Sequence, residues 1–396
     1  MSTSDPIVIV GMARTPIGGF QGVLKDVSGP ELGSAAIRAA LERSGVTADD
    51  IDEVLMGCVL PAGMGQAPAR QASLGAGIPD ATGCTTVNKM CGSGMKTTML
   101  AHDLLVAGTN EVMVAGGLES MSNAPYILPK ARSGQRLGHG QMLDHMFLDG
   151  LEDAFDKGTL MGVFAERTAK KYGFSREAQD KFAIRSLTRS KKAIQDGSFD
   201  AEVTPVTYKN RQGEVTVEQD EQPLKANLDK IPKLRPAFDK DGTVTAANSS
   251  SISDGAAALV MMCESTAKKR GLKPIARFLG HSSFAQEPAW FTTAPVSAIK
   301  KLLETLGWKA DDVDLYEINE AFAVVTMAAM KDLHLPSEKV NVHGGACALG
   351  HPVGASGTRI MVTLISALQK YGKTRGVASL CIGGGEATAM AVEVMS

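Results

Sequence analysis

The sequence predicts an α/β fold of two duplicated βαβ-type halves, stacked as a layered αβαβα core and carrying one inserted loop domain. Three observations lead to this. First, Leu41–Gly57 overlays Leu303–Asn319 without a gap at an offset of 262, and seven positions agree: Leu, Glu, Gly, Ala and three Asp. Second, apolar runs lack the strict alternation of a half-exposed sheet and alternate with helical patterns, as expected of strands covered on both faces. Third, the stretch from 123 to 248 has a different texture, richer in basic and polar residues, with no counterpart after the second copy.

Taken in order, Ile7–Val10 reads as the first strand and Glu31–Arg43 as a helix. The repeated segment reads as a helix end, an acidic turn and an apolar strand. Gly92–Ala107 is helical and Val112–Ala115 a strand; within the insertion, Ser175 is placed to N-cap an amphipathic helix ending near Gly197. Ala257–Met262, Val377–Ile382 and Ala389–Val394 read as strands, Val296–Leu306 and Gly354–Tyr371 as helices. Looser echoes extend the repeat: Ser93-Gly94 with Ser356-Gly357, and Gly116-Gly117 with Gly383-Gly384. The halves are assigned as 1–122 plus 249–274 and as 275–396, with the loop domain at 123–248.

Composition narrows the function classes. At 396 residues the chain exceeds one small core. It is 44% hydrophobic, 21% charged and only 5% aromatic, with 42 glycines that point to many tight turns. A formal charge of −2 gives no global attraction to nucleic acid or an anionic membrane. The six cysteines show neither a CxxC nor a zinc spacing, so no metal is expected. The first strand starts too early for a signal or transit peptide, no apolar run reaches a spanning length, and Val394-Met395-Ser396 is not a sorting tail. A cytoplasmic protein with free thiols is expected. Gly372-Lys373-Thr374 lacks the upstream glycine of a P-loop, and no GxGxxG follows a strand.

Chemistry is suggested by three residues in glycine-dense settings. Cys91 precedes Gly92-Ser93-Gly94 at an expected helix N-terminus, where unpaired N–H groups bring a thiol from ~8.5 into roughly the 3.5–7.5 range. The alternative is a core thiol. His351 sits in Gly350-His351-Pro352-Val353-Gly354-Ala355-Ser356-Gly357, and Cys381 precedes Gly383-Gly384-Gly385, whose bare N–H groups suit an oxyanion. Asn319, at the end of a strand, either orients a water or caps the next helix.

Together these motifs resemble the thiolase family over essentially the whole chain. They are Val10–Pro16, Asn88–Gly94, Gly116–Met121, Asn319–Ala323, Gly344–Gly357 and Cys381–Gly385, in family order. The resemblance implies a reversible acyltransferase that condenses two acetyl-CoA to acetoacetyl-CoA and CoA by a ping-pong route. Cys91 would form the acyl-thioester, activated by His351, and Cys381 would move the C2 proton of the second substrate. His351 and a water on Asn319 would form one oxyanion hole, the N–H groups of Cys91 and Gly383 the other. Ser250, Met161, Leu151, Phe322 and Lys225 are implied for substrate and CoA binding, Ser250 at the pantetheine arm and Lys225 near the adenine.

No cofactor is implied beyond the CoA thioesters, which are substrates, and a homo-oligomer is implied, a tetramer ahead of a dimer. Three positions depart from the pattern. Leu160 stands where acetoacetyl-specific relatives carry histidine, Ser251 adds bulk beside Ser250, and the adenine position aligns loosely at Lys225. The alternative reading is a broader 3-ketoacyl-CoA thiolase working mainly in thiolysis. A carrier-protein ketosynthase would place histidines where this chain has Asn319 and Cys381, and a scaffold protein would have no need of all four site residues.

Overall fold

The computed structural model describes residues 5–211 and 213–395, so the tail residue Ser396 lies outside the described residues. The first half runs β1 (Ile7–Arg14), α1 (Gly29–Ser44), β2 (Glu53–Gly57), β3 (Gly83–Val87), α2 (Ser93–Val106) and β4 (Val112–Ser120). The chain then leaves the core through α3 (Met161–Tyr172) and α4 (Arg176–Gln195) and returns as β5 (Ser253–Cys263). The second half comprises β6 (Ala276–Ala285), α5 (Ala294–Leu306), β7 (Leu315–Ile318), α6 (Ala323–Asp332), α7 (Ser356–Lys370), β8 (Arg375–Ile382) and β9 (Glu386–Val394).

The strands lie in the order β7-β8-β9-β6-β1-β5-β4-β2-β3. Outward from the centre, each half shows its first strand, its last, its penultimate and its second. The third position is β3 in the first half. In the second it is reduced to a parallel bridge between Tyr316 and Val340. Strand senses repeat as well: β4 and β5 pair antiparallel, as do β8 and β9, while β2 with β4 and β7 with β8 are parallel. The halves meet where β1 and β6 pair over two residues, Val8 with Arg277 and Ile9 with Ala276. Between β4 and β5 lies the insertion; between β8 and β9 lies only the turn at Gly383-Gly384-Gly385.

The repeated identities have physical causes. Gly45 and Gly307 end α1 and α5 in the left-handed conformation, at φ 72° and 67°. Asp52 Oδ2 accepts the N–H groups of Glu111 and Val112, and Asp314 Oδ2 accepts those of Thr374 and Arg375, so each aspartate fastens the penultimate strand of its half. The Gly-Gly echo does not hold in space. Gly116 and Gly117 lie inside β4, whereas Gly383 and Gly384 lie beyond the end of β8.

Strand residues divide by parity, as a two-sided sheet requires. Val8, Val10, Val114 and Val260 pack in one core beneath α1. Ile7, Ile9, Met113, Ala115 and Leu259 pack in another, shared with Met95 and Met99 of α2 and Ile360 to Leu368 of α7. This second core also takes Phe278, Leu380, Met390 and Val392, so α2 and α7 form a helical layer between the sheets of both halves. Ser175 caps α4 by accepting the N–H of Ala178, as the sequence predicts, and the Ser28–Glu31 capping box starts α1. No helix among the described residues is long and apolar enough to cross a membrane.

The two central helices approach through the paired glycines. A Cβ on Gly357 would stand 2.2 Å from the Met95 amide nitrogen, and one on Gly94 would stand 2.8 Å from Thr358 Oγ1. Replacing a helical glycine by alanine ordinarily stabilises by up to ~1 kcal/mol. At Gly357 the sign should reverse: Gly357→Ala is expected to lower unfolding stability by about 1–3 kcal/mol, read as a lower urea midpoint.

Candidate active site

Cys91 follows Met90, whose φ of 47° is rare for a side-chain-bearing residue and marks a strained turn. Asn88 Oδ1 accepts the Met90 N–H at 2.9 Å. Ser93 Oγ accepts the Lys89 N–H at 2.8 Å and donates to Met90 O at 2.7 Å. The nucleophile loop is thereby closed on the first turn of α2. At the equivalent place in the second half, Ser356 Oγ donates to Pro352 O at 3.0 Å, leaving its lone pairs to accept from His351 Nδ1 at 2.5 Å. The imidazole is therefore the Nδ1–H tautomer, with its Nε2 lone pair free. Among the described residues Nε2 finds no partner.

Cys91, His351 and Gly383 line one apolar cavity of about 300 Å³. Of the sequence-predicted binding residues, Leu151, Met161, Ser250 and Phe322 line it too. Phe147, Phe238 and Phe291 complete its aromatic wall. These three aromatics were not foreseen, because nothing in their sequence context distinguishes a wall residue from a core one. Ser250 Oγ is bonded to Ala321 O at 3.0 Å, while the neighbouring Ser249 hydroxyl has no partner among the described residues. Ser251 serves His351 instead, its carbonyl accepting the His351 N–H at 3.1 Å.

Ser251 also lines a second groove with Asn227, Lys230, Leu234 and Ala247, so the serine run contributes to the walls of both hollows. Lys225 lines neither; its ammonium pairs with Glu221 and two-thirds of its side chain is exposed (67%). Lys230 is the lysine that the fold places on the groove wall.

Cys381 is fully buried at the end of β8, packed with Phe164, Ala321 and Phe322 just behind the cavity. Asn319 sits one residue past β7, its N–H donating to Ser379 O at 3.0 Å. Its side chain does not cap α6, whose N-cap is Phe322. Its Nδ2 is a buried donor with no partner among the described residues. The Arg359 guanidinium stands 3.5 Å from Asn319 Oδ1 and 3.7 Å from the Glu317 carboxylate.

Burial dominates the electrostatics, and here the helix-terminus expectation is overturned. Burial pushes the Cys91 thiol up to about 11, with the Glu119 charge adding to the rise; the N–H groups of Gly383 and Cys91 itself, facing the sulfur, oppose it. Desolvation outweighs the helix terminus because Cys91 is packed against Met121, Met146 and Val353. His351 is pushed down to about 3 by burial and then by Arg359. The resting groups that share the cavity are thus a neutral thiol and a neutral imidazole. Burial, and then Cys91, push the Cys381 thiol well above its ordinary value. Away from this site, His102 and His281 both bond Asp103 Oδ1, at 3.0 and 2.9 Å, in keeping with a structural role for His102.

These positions set a pH dependence. Alkylation of Cys91 by iodoacetamide should climb about tenfold per pH unit from 7 to 10, with no inflection near 6.5, because only the thiolate reacts. A plateau at neutral pH, read by peptide mapping, would mean an ion-paired thiolate instead.

Two family profiles match the chain, the thiolase N-terminal domain over residues 7–265 and the thiolase C-terminal domain over 272–394. The acetyl-CoA acetyltransferase of Escherichia coli is 50% identical over 389 residues, covering 98% of each chain. That of Cupriavidus necator is 46% identical over 389 residues, covering 98% of this chain and 99% of its own. Among solved structures, the acetyl-CoA acetyltransferase of Bacillus anthracis superposes with a TM-score of 0.97 at 42% identity, covering all of both chains. An Ascaris suum thiolase in complex with coenzyme A gives 0.93 at 41% identity, over 98% of this chain and 100% of its own. On these matches the chain belongs to the thiolase family.

Proposed function

We propose that the protein is an acetyl-CoA C-acetyltransferase, joining two acetyl-CoA into acetoacetyl-CoA and CoA and catalysing the reverse thiolysis. The observation that carries the proposal is the geometry of His351. Its Nδ1–H is held by Ser356, and its free Nε2 shares a cavity with Cys91. In the first step the Cys91 proton passes to Nε2 as sulfur attacks the thioester carbonyl. The N–H groups of Gly383 and Cys91 face the sulfur, where they can take up the developing oxyanion. CoA then departs, leaving acetyl-Cys91.

In the second step Cys381, made a thiolate by giving its own proton to the departing CoA sulfur, removes a C2 proton from the incoming acetyl-CoA, and the enolate attacks the acetyl carbonyl as the Cys91–acyl bond breaks. The unpartnered Asn319 Nδ2 suits a water facing the enolate. His351 Nε2 joins it as a donor while it keeps the proton taken from Cys91, which fits CoA taking its proton from Cys381. No cofactor enters this scheme. Homo-oligomer formation is favoured by β3, a partly exposed edge strand paired only with β2. We read a cytoplasmic tetramer as the working form.

The names of the relatives and the four aromatics around the cavity favour acetyl over long-chain substrates. Thiolysis of C4 3-ketoacyl-CoA should therefore exceed that of C8 by about tenfold or more. A faster C8 rate would favour the broader thiolase. Cys381→Ala should still acquire an acetyl group on Cys91 by mass spectrometry, yet lose about 10²–10⁴-fold in condensation. Full condensation by that variant would remove Cys381 from its role.

A further inference from the structure

Glu119, the second-last residue of β4, is fully buried and carries no part of the acyl-transfer chemistry described above. Its Oε2 accepts the N–H of Val59 at 2.9 Å and that of Gly354 at 2.8 Å. Its Oε1 accepts the N–H of Leu60 at 3.1 Å and the thiol of Cys58 at 3.6 Å. Val59 and Leu60 belong to the loop after β2, in the first half. Gly354 belongs to the turn that begins at His351, in the second.

That turn is closed on itself, since Ala355 N–H and Ser356 N–H both donate to Pro352 O and Ser356 Oγ holds the imidazole. Nothing within the turn determines where it sits against Cys91, which is carried by the other half.

We propose that Glu119 is a positioning residue for acyl transfer: its carboxylate fastens the His351 turn to the nucleophile-bearing half and so sets Nε2 relative to Cys91. Two further observations agree. The Glu119 charge is felt at the Cys91 sulfur, so the clamp lies close to the chemistry. Gly354 is also the residue at which a side chain cannot be added without displacing the clamp, since its Cβ would stand 2.6 Å from Glu119 Oε2. The inference rests on the proposed roles of Cys91 and His351.

The test compares Glu119→Gln, which turns a donor toward Leu60 N–H, with Gly354→Ala, which pushes the turn away without changing charge. Each folded variant, verified by circular dichroism, should acetylate Cys91 about 10²-fold more slowly with the KM for acetyl-CoA within threefold, since a misplacement near 1 Å costs that much. In a His351→Ala background, neither change should slow alkylation of Cys91 by iodoacetamide further. Variants within threefold of wild type, or losses that multiply with His351→Ala, would overturn the clamp. Should Glu119→Gln not fold, the same readouts on Gly354→Ala decide. Failure of wild type to acetylate Cys91 would instead overturn the acyl-transfer reading itself, leaving the alkylation cycle to judge the clamp separately.

Discussion

The peptide at Gly354 is where the two halves interlock, and the catalytic arrangement depends on how tightly it is gripped. Its N–H enters the Glu119 carboxylate, and its carbonyl oxygen lies against three glycines of the other half: added Cβ atoms would stand 2.8 Å away at Gly57, 2.9 Å at Gly94 and 2.1 Å at Gly117. No side chain fits in that space, so backbone meets backbone. Close packing of this kind has little compliance, and it fixes the His351 turn against the loop of Cys91. The two serines, Ser93 and Ser356, then orient the groups inside each loop. Duplication explains the economy of the design: the same Ser-Gly pair at the head of each central helix serves once for the nucleophile and once for the base.

Burial leaves the reactive groups of the site uncharged at rest. Burial moves the Cys91 thiol up and the His351 imidazole down, so proton transfer between them runs uphill until substrate arrives and places its carbonyl beside the Gly383 and Cys91 N–H groups. Such a resting state protects a thiol that would otherwise react with any electrophile. Nearby burial also raises Glu317 to about 8 despite Arg359, and Glu119 to about 7 despite three N–H donors. Both Glu119 oxygens are bonded, whereas Glu317 Oε1 has no partner among the described residues.

The insertion is bound to the core by charge as well as by apolar contact. Arg14, wholly buried at the end of β1, bonds Glu202 at 2.5 Å and Asp220 at 2.8 and 2.9 Å, and Glu202 also accepts from Thr363 of α7. Ser186 of α4 donates to Glu320, next to Asn319. Removing one partner from such a buried group leaves the other uncompensated. The loop domain is therefore held where Leu151, Leu160 and Met161 can roof the cavity.

Much of this was legible in the chain. The repeat at Leu41 and Leu303 encoded the duplicated architecture because its glycine and aspartate perform the same local tasks twice, and local tasks are written in local sequence. Cys91, His351 and Cys381 stood out because glycine-dense turns are conspicuous, and Asn319 because it ends a strand of the second copy. Their ionisation states did not, since burial is a property of the assembled core: the helix start at Ser93 argued for a depressed thiol, and the packing of Met121, Met146 and Val353 around Cys91 decided otherwise. Glu119 lay in the Gly116–Met121 motif with no role assigned to it, for its partners lie 59 to 235 positions away. Lys225 pairs with Glu221, a neighbour one helical turn back, and lines neither hollow. Sequence by itself determined the elements, the duplication and the reactive groups, all set by short-range chemistry. Tertiary structure alone decided which groups face one another and at what charge, because distance through space and exclusion of water exist only once both halves have closed.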